Sequence, residues 1–397
     1  MFKPAENDMD GQIILTAIVA TELTKKEAVL LTNDNGLAIR AIARGIKTSR
    51  YGYKNPKPYT GRRDLNVPEE LLSHFLSEGE IPNEVWKEFM PNEPPLIANE
   101  FIIMTPPRGE FRGYDPKTEY FSNIGRYDAE VDSIVHLKYL SDFPCCAKNP
   151  GQAIYAEALM SPEIPVVICT GPAGSGKTFM AAIYAYHACK SGQYIGATVV
   201  PCNVEDSVGY LPGDLNEKLD PNVQPIKNAL RNYLIKSDKD VARKMRNSKK
   251  FGQEEVEQSD PERNSNQQAQ KSIKARLKNQ VELIWENWFD NVPIEYARGR
   301  DFAYEVAIYD EFQDQNRSQA DTLIKRIGQD GKIIITGDIE QIHAAYLDRE
   351  NNGLVYARNQ LLDSPLVAQV TFTEDEVVRH PLVHLIAKRQ TKTPPAR

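Results

Sequence analysis

The chain has 397 residues, a formal net charge of −7, and 26% of its residues charged. That length allows two or three domains and a large core, while the acidic balance excludes a global positive field that would draw nucleic acid by charge alone; a groove can still gather basic side chains locally. Five cysteines (Cys145, Cys146, Cys169, Cys189, Cys202) form no Cys-x-x-Cys pair, which points to reduced thiols rather than a zinc site or disulfide framework. No apolar run approaches the ~18 residues of a membrane span, and the N-terminus has no signal-peptide pattern, so a soluble, cytoplasmic protein is expected.

From Asp10, the run Asp-Gly-Gln-Ile-Ile-Leu-Thr-Ala-Ile begins an apolar helical pattern. Glu27 to Thr32 reads as a short strand, and Asn33-Asp34-Asn35-Gly36 turns into a helix from Leu37 to Arg44. Residues 1–54 thus read as helix–strand–helix, and Asp10 and Asp34 read most simply as helix caps. The segment also resembles the second half of a PIN nuclease domain. That resemblance implies that Asp10 and Asp34, with Asp8, are part of a carboxylate cluster for Mg²⁺ or Mn²⁺, which such hydrolysis needs. The first half of the domain has no counterpart here, so a remnant without nuclease activity is expected.

Residues 55–143 begin in the Pro- and Tyr-rich run ending at Gly61, read as a linker or a β-rich entry rather than a helix. Pro68 to Phe75 and Pro82 to Phe89 are short helices opened by proline. Asn99 to Met104, Tyr120 to Gly125 and Ser133 to Leu137 read as strands of a small antiparallel, barrel-like module. Aromatics in such a module usually fill its core. The alternative is that Arg108, Arg112, Tyr114, Tyr120, Phe121 and Arg126 form an exposed surface that stacks on single-stranded nucleic acid and contacts its phosphates.

Residues 144–397 carry the strongest pattern. Val166-Val167-Ile168 reads as a buried strand, followed by Gly171-Pro172-Ala173-Gly174-Ser175-Gly176-Lys177-Thr178 and a helix. This is the phosphate-binding loop pattern in its strand–loop–helix context. Its glycines turn backbone N–H groups onto phosphate oxygens at a helix N-terminus, Lys177 reaches the β- and γ-phosphates, and Thr178 is a Mg²⁺ ligand. Upstream, Gln152 is placed to read adenine through its carboxamide. Ala197 to Pro201 is a second strand, and Gly209 to Asp214 turns into another helix. From 237 to 280 the chain is polar, with eleven Lys/Arg against seven Asp/Glu; a surface insertion is the preferred reading, and a basic arm for nucleic acid the other.

The strand Glu305 to Tyr309 ends in Asp310-Glu311, which fits the second nucleotide motif: Asp310 for Mg²⁺ and Glu311 to polarise the attacking water. Lys332 to Gly337 is another buried strand, after which Thr336, Asp338 and Gln341 face the γ-phosphate, at the C-terminal ends of parallel strands. Beyond the last strand, Val367 to Phe372, Arg379 is placed either as an arginine finger or as a surface residue pairing with Asp375 or Glu376. Arg298 and Arg300 are candidates to clamp phosphate or a neighbouring subunit.

The segments GPAGSGKT, VGYLPGDLNEKLDP, ARGRDF, AIYDEFQD, ITGDIEQI and VVRHPLV, in this order, resemble the PhoH family of ATPases over residues 144–390. The resemblance implies an α/β fold: a P-loop NTPase core with a parallel, RecA-like sheet, here preceded by the β-rich module and the partial PIN-like segment. It also implies ATP and Mg²⁺ as cofactors, a hexameric ring with nucleotide sites at subunit contacts, and single-stranded RNA as partner, with DNA as a possible second. ATP hydrolysis that moves or unwinds RNA is the expected function. The alternatives are a nucleotide-switched RNA- or protein-binding module without translocation, and a residual metal-dependent ribonuclease.

Overall fold

The computed structural model describes residues 8–32, 35–49, 59–107, 114–115, 120–202, 215–237, 261–344 and 347–378. The chain divides into two units, Met1–Tyr59 and Thr60–Arg397.

In the first unit, α1 (Met9–Thr24) is capped by Asp8, whose carboxylate accepts from Gly11 N at 3.0 Å. The capping residue is thus Asp8 and not Asp10. Strand β1 (Val29–Leu31) leads into α2 (Asn35–Ile42) and then β2 (Lys47–Ser49), which pairs parallel to β1. The unit is helix–strand–helix–strand; β2 carries no apolar alternation and was not expected. Ile14, Leu37, Ala41 and Ile46 form its small core.

The second unit contains two main sheets. The segment that holds the first runs through β3 (Arg62–Asn66), α3 (Glu69–Glu78), β4 (Glu80–Pro82), α4 (Asn83–Phe89), β5 (Phe101–Thr105), β6 (Tyr114–Asp115), β7 (Tyr120–Phe121), β8 (Ile124–Asp128) and β9 (Ser133–His136). Among the described residues β6 and β7 pair only with each other. The sheet's five strands run in the order β3-β5-β8-β9-β4. This is an open mixed sheet rather than an antiparallel barrel, because β3 pairs parallel to β5 at one edge while the other pairings are antiparallel. Strand β3 escaped the sequence reading because arginines occupy its positions. They are held by partners distant in the chain: Arg62 by Glu376 at 2.7 Å and Arg63 by Glu100 at 2.7 Å.

The second sheet follows α5 (Pro150–Met160). It comprises β10 (Val166–Thr170), α6 (Lys177–Lys190), β11 (Gly196–Pro201), α7 (Leu215–Ser237), α8 (Pro261–Trp288), β12 (Phe289–Asn291), α9 (Ile294–Ala297), β13 (Glu305–Asp310), α10 (Arg317–Ile324), β14 (Lys332–Gly337), α11 (Gly353–Gln360) and β15 (Val367–Thr371). All six strands are parallel, in the order β12-β11-β13-β14-β10-β15. Parallel sheets are covered on both faces, so their strands read as continuous apolar runs. Successive residues still alternate between two cores: Val167, Val199, Ile308 and Ile334 pack with α5, α6 and α7. Ile168, Val200, Tyr309 and Ile335 pack with α10 and α11.

The two sheets share one core, in which Phe101, Ile103, Phe121 and Ile124 pack with α5 and β10. Gly61, at φ +79°, lies against β15 so closely that a Cβ would stand 1.7 Å from the Gln369 carbonyl oxygen. No helix among the described residues is long and apolar enough to cross a membrane.

Candidate nucleotide site

Strand β10 delivers the Gly171–Thr178 loop at its C-terminal end, and α6 leaves it. Gly171, Gly174 and Gly176 all have positive φ (135°, 90° and 106°). Gly171 has no room for a side chain, since a Cβ would lie 2.7 Å from that of Phe372. Inside the loop the Ser175 hydroxyl donates to Pro172 O at 3.0 Å, and Lys177 Nζ donates to Gly171 O at 2.6 Å and Pro172 O at 3.1 Å.

The register that sets Thr170 beside Gly337 and Cys169 beside Thr336 brings β14 alongside the loop, with β13 next in the sheet. There the Thr178 hydroxyl lies 3.2 and 3.3 Å from the two oxygens of Asp310, which also accepts from the Thr336 hydroxyl. These are hard oxygen donors, and Mg²⁺ is usually held by one or two such protein ligands together with phosphates and water. The donor set therefore fits Mg²⁺ at Thr178 and Asp310. Among the described residues no cluster of three or more His, Cys, Asp or Glu side chains forms an all-protein metal cage.

Glu311 follows at φ 57°, ψ 43°, a left-handed conformation that costs a non-glycine residue about 1 kcal/mol or more and ends the strand abruptly. Burial and the adjacent Asp310 raise the Glu311 carboxyl above its ordinary pKa, opposed by a hydrogen bond from Gln313 and by Lys177. Gln313 is fully buried and joins the site's acids. Its Nε2 donates to Glu311 Oε2 at 2.7 Å and Gln341 O at 2.9 Å, and its Oε1 accepts from Asp338 N at 3.0 Å. Gln341 in turn donates to Asp338 at 2.6 Å. Asp338 and Gln341 are thus tied to Glu311 through Gln313, whose part in the site had no sequence signal beyond its position two residues after Glu311. Gly337 makes room for it, since a Cβ there would lie 2.5 Å from Gln313 Oε1.

Other expected site residues stand differently. The Gln152 carboxamide is engaged with the protein: it accepts from Lys148 N at 3.0 Å and donates to Ser175 O at 2.9 Å, so it braces the phosphate loop. Arg300 is ion-paired to Asp290 at 2.8 Å and Glu305 at 2.9 Å. Glu305 begins β13, at the end of the strand opposite Asp310, so Arg300 does not reach the phosphate loop of its own chain. Arg298 is exposed at the end of α9. Phe121 is in the core, and Arg126 is buried against Asn99 at 2.7 Å and Glu163 at 2.6 Å. Neither forms an exposed nucleic-acid surface. Arg108 and Arg112, the 203–214 segment, Asp34 and Arg379 lie outside the described residues, as do the side chains of Tyr114 and Tyr120. Just before Arg379, Val378 N donates to Gly174 O at 3.0 Å. Glu376, one candidate partner for Arg379, is instead held by Arg62. In the N-terminal unit, Asp8 and Asp10 both pair with Arg40.

The phosphate loop, Asp310 and Glu311 open on a cavity of about 1030 Å³, the size of a small-molecule site. The model of the family described as PhoH-like protein matches residues 145–390. Protein PhoH2 of Bacillus subtilis (strain 168) is 28% identical over 388 residues, covering 94% of this chain and 76% of its own length. Protein PhoH2 of Thermobispora bispora is 22% identical over 387 residues, 96% of this chain and 74% of its own. Protein PhoH of Escherichia coli (strain K12) is 27% identical over 242 residues, 60% of this chain and 56% of its own.

Proposed function

This chain belongs to the PhoH family of P-loop ATPases, and from that premise we propose that it hydrolyses ATP and couples the cycle to moving or unwinding RNA. The observation that carries the ATPase half is the meeting of Lys177, Thr178, Asp310 and Glu311 at the C-terminal ends of β10 and β13, the two parallel strands that flank β14, around one cavity.

The triphosphate lies along the Gly171–Thr178 loop, whose N–H groups and helix N-terminus favour negative charge. On binding, the Lys177 ammonium exchanges the carbonyls of Gly171 and Pro172 for β- and γ-phosphate oxygens. Thr178 and Asp310 are the residues that would hold Mg²⁺. Mg²⁺ held there would supply electrostatic stabilisation of the charge that develops on the transferred phosphoryl group. Glu311, held by Gln313, accepts a hydrogen bond from the attacking water and orients it toward the γ-phosphorus. Loss of the γ-phosphate is reported to Asp338 and Gln341 through Gln313. Arg379, one residue beyond the Val378–Gly174 contact, acts in trans as an arginine finger in a hexameric ring.

RNA is proposed as the partner on the likeness of the motif set to nucleic-acid-dependent ATPases. The exposed Lys271, Lys274 and Lys278 along α8 add a basic stripe suited to phosphates. Turnover of ATP measured with and without single-stranded RNA, in wild type and Glu311→Gln, tests this. RNA-stimulated turnover with strand separation, lost in Glu311→Gln, is expected. Turnover indifferent to nucleic acid would instead indicate a switch that does not translocate.

A further inference from the structure

The cavity has a wall that the triphosphate chemistry does not use. Its lining includes Pro144, Cys146 and Lys148 from the loop before α5, Phe179 just after Thr178, and one face of α7. On that face Gln224, Asn228 and Asn232 recur every four residues, which aligns three carboxamides along one side of a helix. Asn228 and Asn232 are exposed to the cavity's solvent.

Aromatic and cationic groups complete the wall. Lys236 continues the α7 row one turn on, with its ammonium 5.2 Å from the centre of the Phe179 ring. Tyr233 is anchored by a 2.7 Å hydrogen bond between its hydroxyl and His187. Cys145 lies within electrostatic reach of Lys236, Lys148 and Tyr233, so loop and helix face one another across this part of the cavity. The Gln152 carboxamide, the expected base reader, is taken up by Lys148 N and Ser175 O.

A nucleoside triphosphate that places its γ-phosphate at Asp310 and Glu311 must extend its nucleoside away from them, past Thr178 and the Phe179 ring. We propose that the α7 wall is the nucleoside subsite, in which the carboxamides of Asn228 and Asn232 hydrogen-bond to the base edge and ribose while Phe179 packs on the base. A carboxamide offers a donor and an acceptor together, the pairing that N6 and N7 of adenine present. This subsite rests on the ATP reading above and adds which residues choose the nucleotide.

Cys146 is an exposed thiol on this wall, so alkylation by N-ethylmaleimide, located by mass spectrometry, reports what fills it. Burial pushes the neighbouring Cys145 thiol up to about 11, which leaves it slow to react. ATP is expected to slow labelling of Cys146 while inorganic tripolyphosphate, bound to the same phosphate loop, does not. Asn228→Ala and Asn232→Ala are each expected to weaken ATP binding about tenfold, the loss of one hydrogen bond, and to narrow the preference for ATP over CTP and UTP. Protection by tripolyphosphate equal to that by ATP would overturn the subsite, and so would variants that bind all nucleotides within twofold of wild type. Equal protection by ATP in Lys177→Ala would overturn the underlying ATP reading instead.

Discussion

Arg62 and Glu376 come from opposite ends of the chain and form a pair whose side chains are 8% and 6% exposed. The Glu376 carboxylate also accepts from Gly151 N at 2.7 Å and Thr373 N at 2.8 Å. Its own segment continues to Val378, which touches the phosphate loop at Gly174. Replacing Arg62 with Met removes the counter-charge and leaves a buried carboxylate; breaking one side of such a pair typically costs 3–5 kcal/mol. The hydrogen bonds from Gly151 and Thr373 remain, so we expect about 3 kcal/mol, the lower end of that range. Urea unfolding of wild type, Arg62→Met, Glu376→Gln and the double variant gives the coupling directly. The double variant, with no lone charge to bury, is expected to be more stable than Arg62→Met. A loss below about 1 kcal/mol in Arg62→Met, the size of an exposed pair, would refute the reasoning, as would simple additivity in the cycle.

Three further outcomes follow from groups around the sheet. Lys332 Nζ is fully buried, donates to Ser161 O at 2.9 Å, and has its pKa pushed down to about 7 by burial, against 10.5 for an ordinary lysine. Between those values the unfolded chain binds more protons than the folded one, so stability rises with pH by up to about 1.4 kcal/mol per unit. Lys332→Met should flatten that rise in unfolding midpoints taken from pH 7 to 9. Gln313→Leu removes the hydrogen bond that holds the Glu311 carboxyl down, so the acid limb of the kcat–pH profile should move to higher pH; an unmoved limb would separate Gln313 from Glu311. Arg300→Ala loses two ion pairs far from the phosphate loop and should lower the melting temperature with kcat per folded molecule unchanged. A kcat collapse without destabilisation would restore Arg300 to the reaction.

The phosphate loop and the Asp310-Glu311 pair were legible because each is written in a few consecutive residues: an apolar strand, then the glycines or acids that the strand's end requires. The parallel sheet was implied by the resemblance of these motifs to the PhoH family, and its strands coincide with the buried apolar runs. Elements held by distant partners were not legible. Strand β3 reads as Arg-Arg-Asp-Leu-Asn, and it belongs to a sheet because Glu100 and Glu376 neutralise its arginines from elsewhere. Arg126 and Arg300 looked available because arginine usually is; Arg126 is occupied by Glu163, which only the fold brings near, and Arg300 by Asp290 and Glu305, ten and five residues away. Gln152 was expected to read adenine, but its carboxamide meets Lys148 N and the loop's Ser175 O. Gln313 and the α7 carboxamides depend on which helix or loop packs beside which strand, and no local pattern records that.

The most direct measurement is ATP·Mg²⁺ binding and turnover by wild type, Lys177→Ala and Glu311→Gln under one set of conditions. Lys177→Ala is expected to lose roughly 10- to 100-fold in affinity, the value of a charge-assisted hydrogen bond to phosphate, together with its turnover. Glu311→Gln should bind ATP and fail to hydrolyse it. Wild-type turnover in the Lys177→Ala protein would contradict the assignment of this cavity as the place where ATP is cleaved.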